Sequence, residues 1–131
     1  MDTLPLRLHP GDDLRRSLER AVTQRGIGAA FVVAGVGSLR GARLRWAGAD
    51  EAATLEGDLE ILTLSGSVSP DGAHLHISVA DAGGAVRGGH VAYGCTVRTT
   101  AELLLLSLPP WRFAREPDPA TGSDELVIRP S

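Results

Sequence analysis

From His74 to Val79 polar and apolar residues alternate one for one (His-Leu-His-Ile-Ser-Val), the period of an extended strand with one face turned to a core. In such a strand residues i and i+2 share a face. His74 and His76 therefore present two imidazoles side by side, while Leu75, Ile77 and Val79 point the other way. A third histidine, His90, follows Gly88-Gly89 in the same glycine-rich segment, Gly57 to Glu102. Three neutral imidazoles brought to one point suit a divalent ion of the zinc type, so His74, His76 and His90 are the candidate metal ligands.

Register decides whether they converge. If the turn after this strand spans Asp81 to Gly84, Ala80 faces Ala85, His76 faces Gly89, and His90 lies opposite Leu75 on the wrong face. A one-residue shift places His90 opposite His76, and Gly88-Gly89 is where a β-bulge could supply it. Glycines there also admit a close backbone or ligand. Against metal or small-ligand binding stands a plainer reading, in which the histidines only hydrogen-bond within a subunit interface. His9, before Pro10, reads as an exposed turn residue. Asp81 follows His76 in a way similar to the H-x-H-x4-acid run of cupin metal sites. That pattern wants Glu there and a later G-x-x-H-x-x-x-N block, and neither is present.

The rest of the chain predicts an α+β domain, mostly antiparallel sheet with one or two packed helices, spanning residues 1–131 as a single unit. Leu4 to Leu8 alternates and reads as a first strand. Pro10-Gly11 turns the chain, and Asp12 or Asp13 caps a helix whose apolar positions Leu14, Leu18, Ala21 and Val22 form one stripe, stopped by Gly26. Ala29 to Val36 is an unbroken apolar run that reads as a central buried strand ended by Gly35 and Gly37. Gly41 to Trp46 reads as a separate strand, and Ala47 to Glu56 as a patternless loop. Further strands are predicted over Leu59 to Val68, His74 to Ala80, Ala85 to Thr99 and Glu102 to Leu108, with Asp71-Gly72 and Asp81 to Gly84 as turns. After Pro109-Pro110 only Leu126 to Ile128 reads as strand.

Composition narrows the function classes. The net charge is −3, and all thirteen basic residues are arginine, scattered and largely balanced by acids. A duplex-binding surface usually has clustered cations and a basic balance. Arg40, Arg43 and Arg45 are the one local cluster, most simply a solvated strand face. The chain opens without a signal-peptide pattern, and its longest apolar runs are far short of a membrane span, so the expectation is a cytoplasmic protein. Lone Cys95 reads as a packed thiol. No G-x-S-x-G elbow occurs, GVGSLRG lacks the lysine and helix of a phosphate loop, and five aromatic residues make a poor base-stacking platform.

Two acids stand out. Glu60 interrupts an apolar strand, where a carboxylate must be paired or reach an edge, and Glu102 follows Thr99-Thr100. Either could serve as ligand or general base, or simply make a structural salt bridge, and Arg98 is the nearest basic residue to pair with one of them. Glu60, Arg98 and Glu102 are therefore the candidate ligand-binding residues.

Several blocks, in order, resemble the PPC domain ("plants and prokaryotes conserved"). Leu6 to Arg45, with its Pro-Gly-acidic turn, helix and apolar strand ending in Gly-Val-Gly-Ser, is similar to the family's opening. GDLEILTLSG (Gly57 to Gly66) is similar to its E-I-L-S-L-S-G signature, LHIS followed by GGHV to its L-H-x-S…G-G-H-L core, and REPDPATGSDELVI (Arg115 to Ile128) to its closing block. The AT-hook core of the plant proteins is absent. The resemblance implies a stand-alone homotrimer, which together with the histidines gives a binding module with a metal or small-ligand site, zinc being the representative ion. Two alternatives stand beside it. One is a DNA-associated regulatory role, the label bacterial members usually carry; the other is a metal-assisted enzyme with Glu60 or Glu102 as base.

Overall fold

The Asp13 carboxylate caps the helix start by accepting the Arg16 backbone N–H at 2.9 Å, and Gly26, at φ +64°, lets the chain turn away after the end. Between them α1 (Leu14–Gln24) buries the whole predicted stripe, Leu14, Leu18, Ala21 and Val22. This computed structural model describes residues 2–131, and α1 is the one α-helix among them. Its Glu19 carboxylate accepts the Ala73 backbone N–H at 2.9 Å, tying the helix to the strand that carries the histidines.

Everything else is antiparallel sheet. The strands are β1 (Asp2–Leu8), β2 (Ala30–Arg45), β3 (Ala53–Ser69), β4 (Gly72–Ala80), β5 (Val86–Val91), β6 (Val97–Ser107), β7 (Trp111–Asp118) and β8 (Ser123–Pro130). The main sheet runs β1-β6-β2-β3-β4-β5, and β5 returns to the far end of β2 through Leu44 opposite Val91 and Arg45 opposite His90. Strands β2 to β5 thus close into a ring. Leu39, Leu44, Leu75, Val79, Val91, Val97 and Leu105 fill the core and are all but inaccessible. The expected α+β class holds, with one helix.

Strand boundaries depart from the sequence expectation where the backbone bulges. The apolar run from Ala29 and the Gly41–Trp46 segment are one strand, β2, rather than two. Pairing shifts between Val32 and Ala34 against β6, and between Arg40 and Ala42 against β3. Each shift reverses which parity faces inward: Ala30 and Val32 are buried, then Gly35 and Leu39, then Ala42 and Leu44. The run is also not buried on both faces, since Val33 is 48% and Val36 52% exposed. Gly35 does not end the strand. A Cβ there would lie 2.9 Å from Leu103 Cδ2 and 3.0 Å from Leu64 Cβ, so the glycine admits neighbours rather than a turn. Strand β3 takes in Ala53 to Glu56, expected as loop, while the expected strand Ala85 to Thr99 is cut by the turn around Ala92 to Gly94. The tail forms a hairpin, β7 and β8, not a single strand. Phe113 anchors it, edge-on to Phe31 with ring centroids 5.8 Å apart.

Candidate metal centre

Strand β4 carries His74 and His76 on its outer face because Leu75, Ile77 and Val79 are buried on the inner one. Strand β5 brings His90 directly opposite His76, followed by Ile77 to Gly89, Ser78 to Gly88 and Ala80 to Val86 without interruption. The register required for convergence is present, but its cause is not the expected bulge. The connecting loop is Asp81 to Ala85, one residue longer than the turn read from the sequence. Asp81 closes it: its N–H donates to the Ala85 carbonyl at 3.0 Å, and its Oδ1 accepts the N–H groups of Gly83 (2.9 Å) and Ala85 (3.0 Å). Gly88 and Gly89 instead allow close packing. A Cβ on Gly88 would sit 2.9 Å from the Ile77 carbonyl, and one on Gly89 2.9 Å from the Arg45 carbonyl and 3.2 Å from the Trp46 ring.

The three imidazoles meet. Each offers a nitrogen, and these atoms lie within 4.8 Å of one another; the ring centroids are 5.1 Å (His74–His76), 5.0 Å (His74–His90) and 5.9 Å (His76–His90) apart. Tetrahedral bonds of about 2.1 Å place ligand nitrogens about 3.4 Å apart, a contraction that χ rotation of the two exposed rings can supply. Burial, with smaller contributions from Arg115 and His76, lowers the His74 pKa. His90, half-buried, is pushed down to about 4, first by burial and then by His74 and Arg45. Protonation of a metal-binding imidazole competes with the ion, so both shifts favour the ligating form at neutral pH. Within the chain none of the three rings makes a side-chain hydrogen bond among the described residues, so hydrogen bonding inside one subunit does not account for their grouping.

Two hollows flank the triad. One, of about 260 Å³, is lined by Arg45, Trp46, Ala47 and Gly89 beside all three histidines. The other, of about 220 Å³, is lined by Phe31, Ser65, Gly66, Ser67, Arg115 and Leu126 beside His74 and His76. Arg115 is held in place: its guanidinium donates to Ser67 Oγ and its backbone N–H to Asp71 Oδ2, each at 2.9 Å. Sequence reasoning passed over both arginines as parts of the site. Arg45 looked like one of a solvated trio, and the only pointer to Arg115 was its place at the head of the REPDPATGSDEL block.

Glu60, Arg98 and Glu102 do gather, in a separate surface depression of about 610 Å³ with Val36, Ser38, Leu62, Thr99 and Thr100. The expected partner is wrong, however. Arg98 pairs with Asp58 at 3.2 Å, and Arg40 reaches the same carboxylate at 3.4 Å. Glu60 needs no partner, because it points to solvent while Leu59 and Ile61 on either side point in. Cys95 is a packed thiol as expected, fully buried, its pKa raised by that burial, with Sγ 3.4 Å from the Arg43 carbonyl it donates to. Among the described residues no helix is long and apolar enough to cross a membrane.

With the geometry in place, three kinds of comparison bear on it. The family model for the Plants and Prokaryotes Conserved (PCC) domain matches residues 1–109. The bifunctional protein GlmU of a Synechococcus strain is 53% identical over 126 residues; the match takes in 96% of this chain but only 20% of that protein, so the chain spans about a fifth of its length. A hypothetical protein from Salmonella cholerae-suis is 40% identical with a TM-score of 0.95, over 98% of this chain and 94% of that one. A protein from Archaeoglobus fulgidus, described as metal-containing, is 29% identical with a TM-score of 0.80, over 97% and 94% of the two chains. A candidate DNA-binding protein from Bacteroides thetaiotaomicron shares the fold (TM-score 0.86, 95% and 91% coverage) at 19% identity.

Proposed function

The chain belongs to the Plants and Prokaryotes Conserved (PCC) domain family, and on that footing we propose that it is a homotrimeric binding module holding a divalent ion of the zinc type on His74, His76 and His90. One observation carries the reading: three imidazoles on two paired strands each bring a nitrogen to within 4.8 Å of the others, with no side-chain hydrogen bond among the described residues. Lowered pKa values at His74 and His90 support it, as does the metal-containing description of the Archaeoglobus relative. Oligomerisation is supported by the open apolar face of the sheet, and the number three by the family resemblance. Glu60 and Glu102 lie beside Val36 and Leu62 on that face, so their role belongs to contacts between copies rather than to the metal.

Equilibrium dialysis of the untagged chain against Zn2+ or Co2+ tests the metal reading. One ion per chain is expected. Structural zinc sites contribute about 10–16 kcal/mol over four ligands, so replacing any one of the three histidines with alanine should weaken binding on the order of 100-fold or more. Micromolar metal left unbound, or single variants that bind as the wild type does, would refute it. DNA binding is the weaker reading. The net charge is −3, Arg15, Arg40, Arg98 and Arg129 are each paired with an acid, and likeness to a DNA-associated protein at 19% identity speaks to the fold alone.

A further inference from the structure

Three imidazoles bring no charge to a divalent ion, and three protein ligands leave one side of it open. The surroundings do not supply the missing negative charge. Arg115 lines the hollow next to His74 and His76, and Arg45 the hollow next to all three histidines. Among the described residues neither guanidinium lies within ion-pair distance of a carboxylate; Arg115 bonds Ser67 Oγ at 2.9 Å and Arg45 the Ala49 carbonyl at 3.2 Å. Arg15, the other nearby cation, is taken up by Glu19 at 3.3 Å. The Glu125 charge opposes these cations at His74.

From this arrangement we infer that the open side of the triad receives a small anionic ligand, a carboxylate or phosphate, gripped by Arg115 with Arg45 adding charge from the other flank. The inference deepens the metal reading above and rests on it. A guanidinium is a planar fork matched to two oxygens of a carboxylate or phosphate, and one fixed by Ser67 is oriented before the ligand arrives. Hollows of about 220 and 260 Å³ fall below the range typical of drug-sized ligands, so the guest is a few heavy atoms across. Phe31 and Leu126 on the Arg115 side leave room for a short apolar body behind the anionic group. The ligand class thus follows from charge, donor geometry and size together.

The test uses the full, untagged chain loaded with one Co2+ per chain, whose visible spectrum reports on the ion's surroundings. Acetate and inorganic phosphate are titrated in separately at constant ionic strength and neutral pH, and the spectral change is followed. A saturable change with one anion per chain is expected, and the stronger of the two anions identifies the class. Arg115→Met should retain Co2+ while losing anion affinity by about ten- to a hundredfold, the span of one charge-assisted pair. Arg115→Lys, which keeps charge without the fork, should fall between. Arg40→Met, a remote loss of the same charge, should leave the titration unchanged. A Co2+ spectrum indifferent to both anions, or equal affinity in wild type and both Arg115 variants, overturns the inference and leaves the metal reading intact. Failure of the wild type to bind Co2+ overturns both.

Discussion

His90 is the most constrained of the three imidazoles, and its titration gives the site a pH signature. Burial, then the neighbouring imidazoles and arginines (His74, Arg45, Arg15, His76), lower its pKa to about 4, and Glu125 opposes the corresponding shift at His74. In the unfolded chain the same ring titrates near 6.5. Between about 4 and 6.5 the unfolded state therefore holds a proton that the folded state rejects. Stability contributed by this group is complete above 6.5 and is lost as pH falls toward 4, and His74 shifts in the same direction. We expect the metal-free chain to melt at progressively lower temperature from pH 7 to 5, and His90→Gln to flatten that slope. Thermal melts showing the same slope in both proteins would contradict the assignment. Zn2+ should raise the melting temperature of the wild type at pH 7, by mass action on the folded state, and leave His76→Ala unmoved. That His74 and His76 share a face was legible in the sequence, because period-two alternation fixes it; the arrival of His90 beside them was not, because it hangs on a loop one residue longer than the turn read there. Arg45 and Arg115 were not legible either, because they reach the site through ring closure and through the tail hairpin, neither of which has a local signal.

At the scale of elements, the site depends on how closely β3 and β4 approach. Gly66 lies on β3 opposite Leu75 at φ +148°, and a Cβ there would run into the His74 carbonyl oxygen and come within 2.8 Å of Leu75 Cα. Gly57, at φ +89°, has a strained backbone for an L residue but nothing within 4 Å of a Cβ. Gly66→Ala should therefore cost on the order of 2–5 kcal/mol through strain and clash together, and Gly57→Ala only about 1–2 kcal/mol through strain. Urea melts giving equal losses for the two would show that the contact with His74 does not matter. Gly66→Ala should also weaken metal binding, since it displaces the strand that carries two ligands. Such contacts explain why element boundaries were harder to read than elements. The helix announced both ends, with an aspartate cap and a left-handed glycine. Gly35 offered the same signal to the eye as a turn but serves a packing contact, and the first register shift of β2, between Val32 and Ala34, hides in a run of valines and alanines. The β7–β8 hairpin escaped notice because its strands mix charge and proline on both faces. Its anchor, Phe113 on Phe31, is a contact distant in sequence.

For the whole molecule the question is what covers the outer face of the sheet. Phe31, Val33 and Val36 of β2 are 36–52% exposed, and Leu62 of β3 is 45% exposed. On β6, Leu106 lies opposite Phe31 and Leu104 opposite Ala34 and Pro5, so the apolar surface continues across three strands. Large exposed apolar patches are uncommon on single-chain proteins, and we expect this one to be an interface. The charges point away from nucleic acid as what covers it: the net charge is −3, and Arg15, Arg40, Arg98 and Arg129 are each engaged by an acid. We expect no sequence-dependent duplex binding below micromolar at physiological salt in a shift assay, because affinity built on phosphate contacts needs clustered cations and a basic balance and falls steeply with salt. Light scattering should instead give about three times the chain mass of 13.7 kDa. Val33→Glu, which places a charge in the middle of the apolar face, should shift the protein toward the single-chain mass. All three histidines come from one chain, so this variant should still bind one metal ion per chain. If metal binding vanishes together with the oligomer, the ion is held between subunits and the one-chain site is wrong. If the wild type already runs at 13.7 kDa, the exposed face belongs to some other partner.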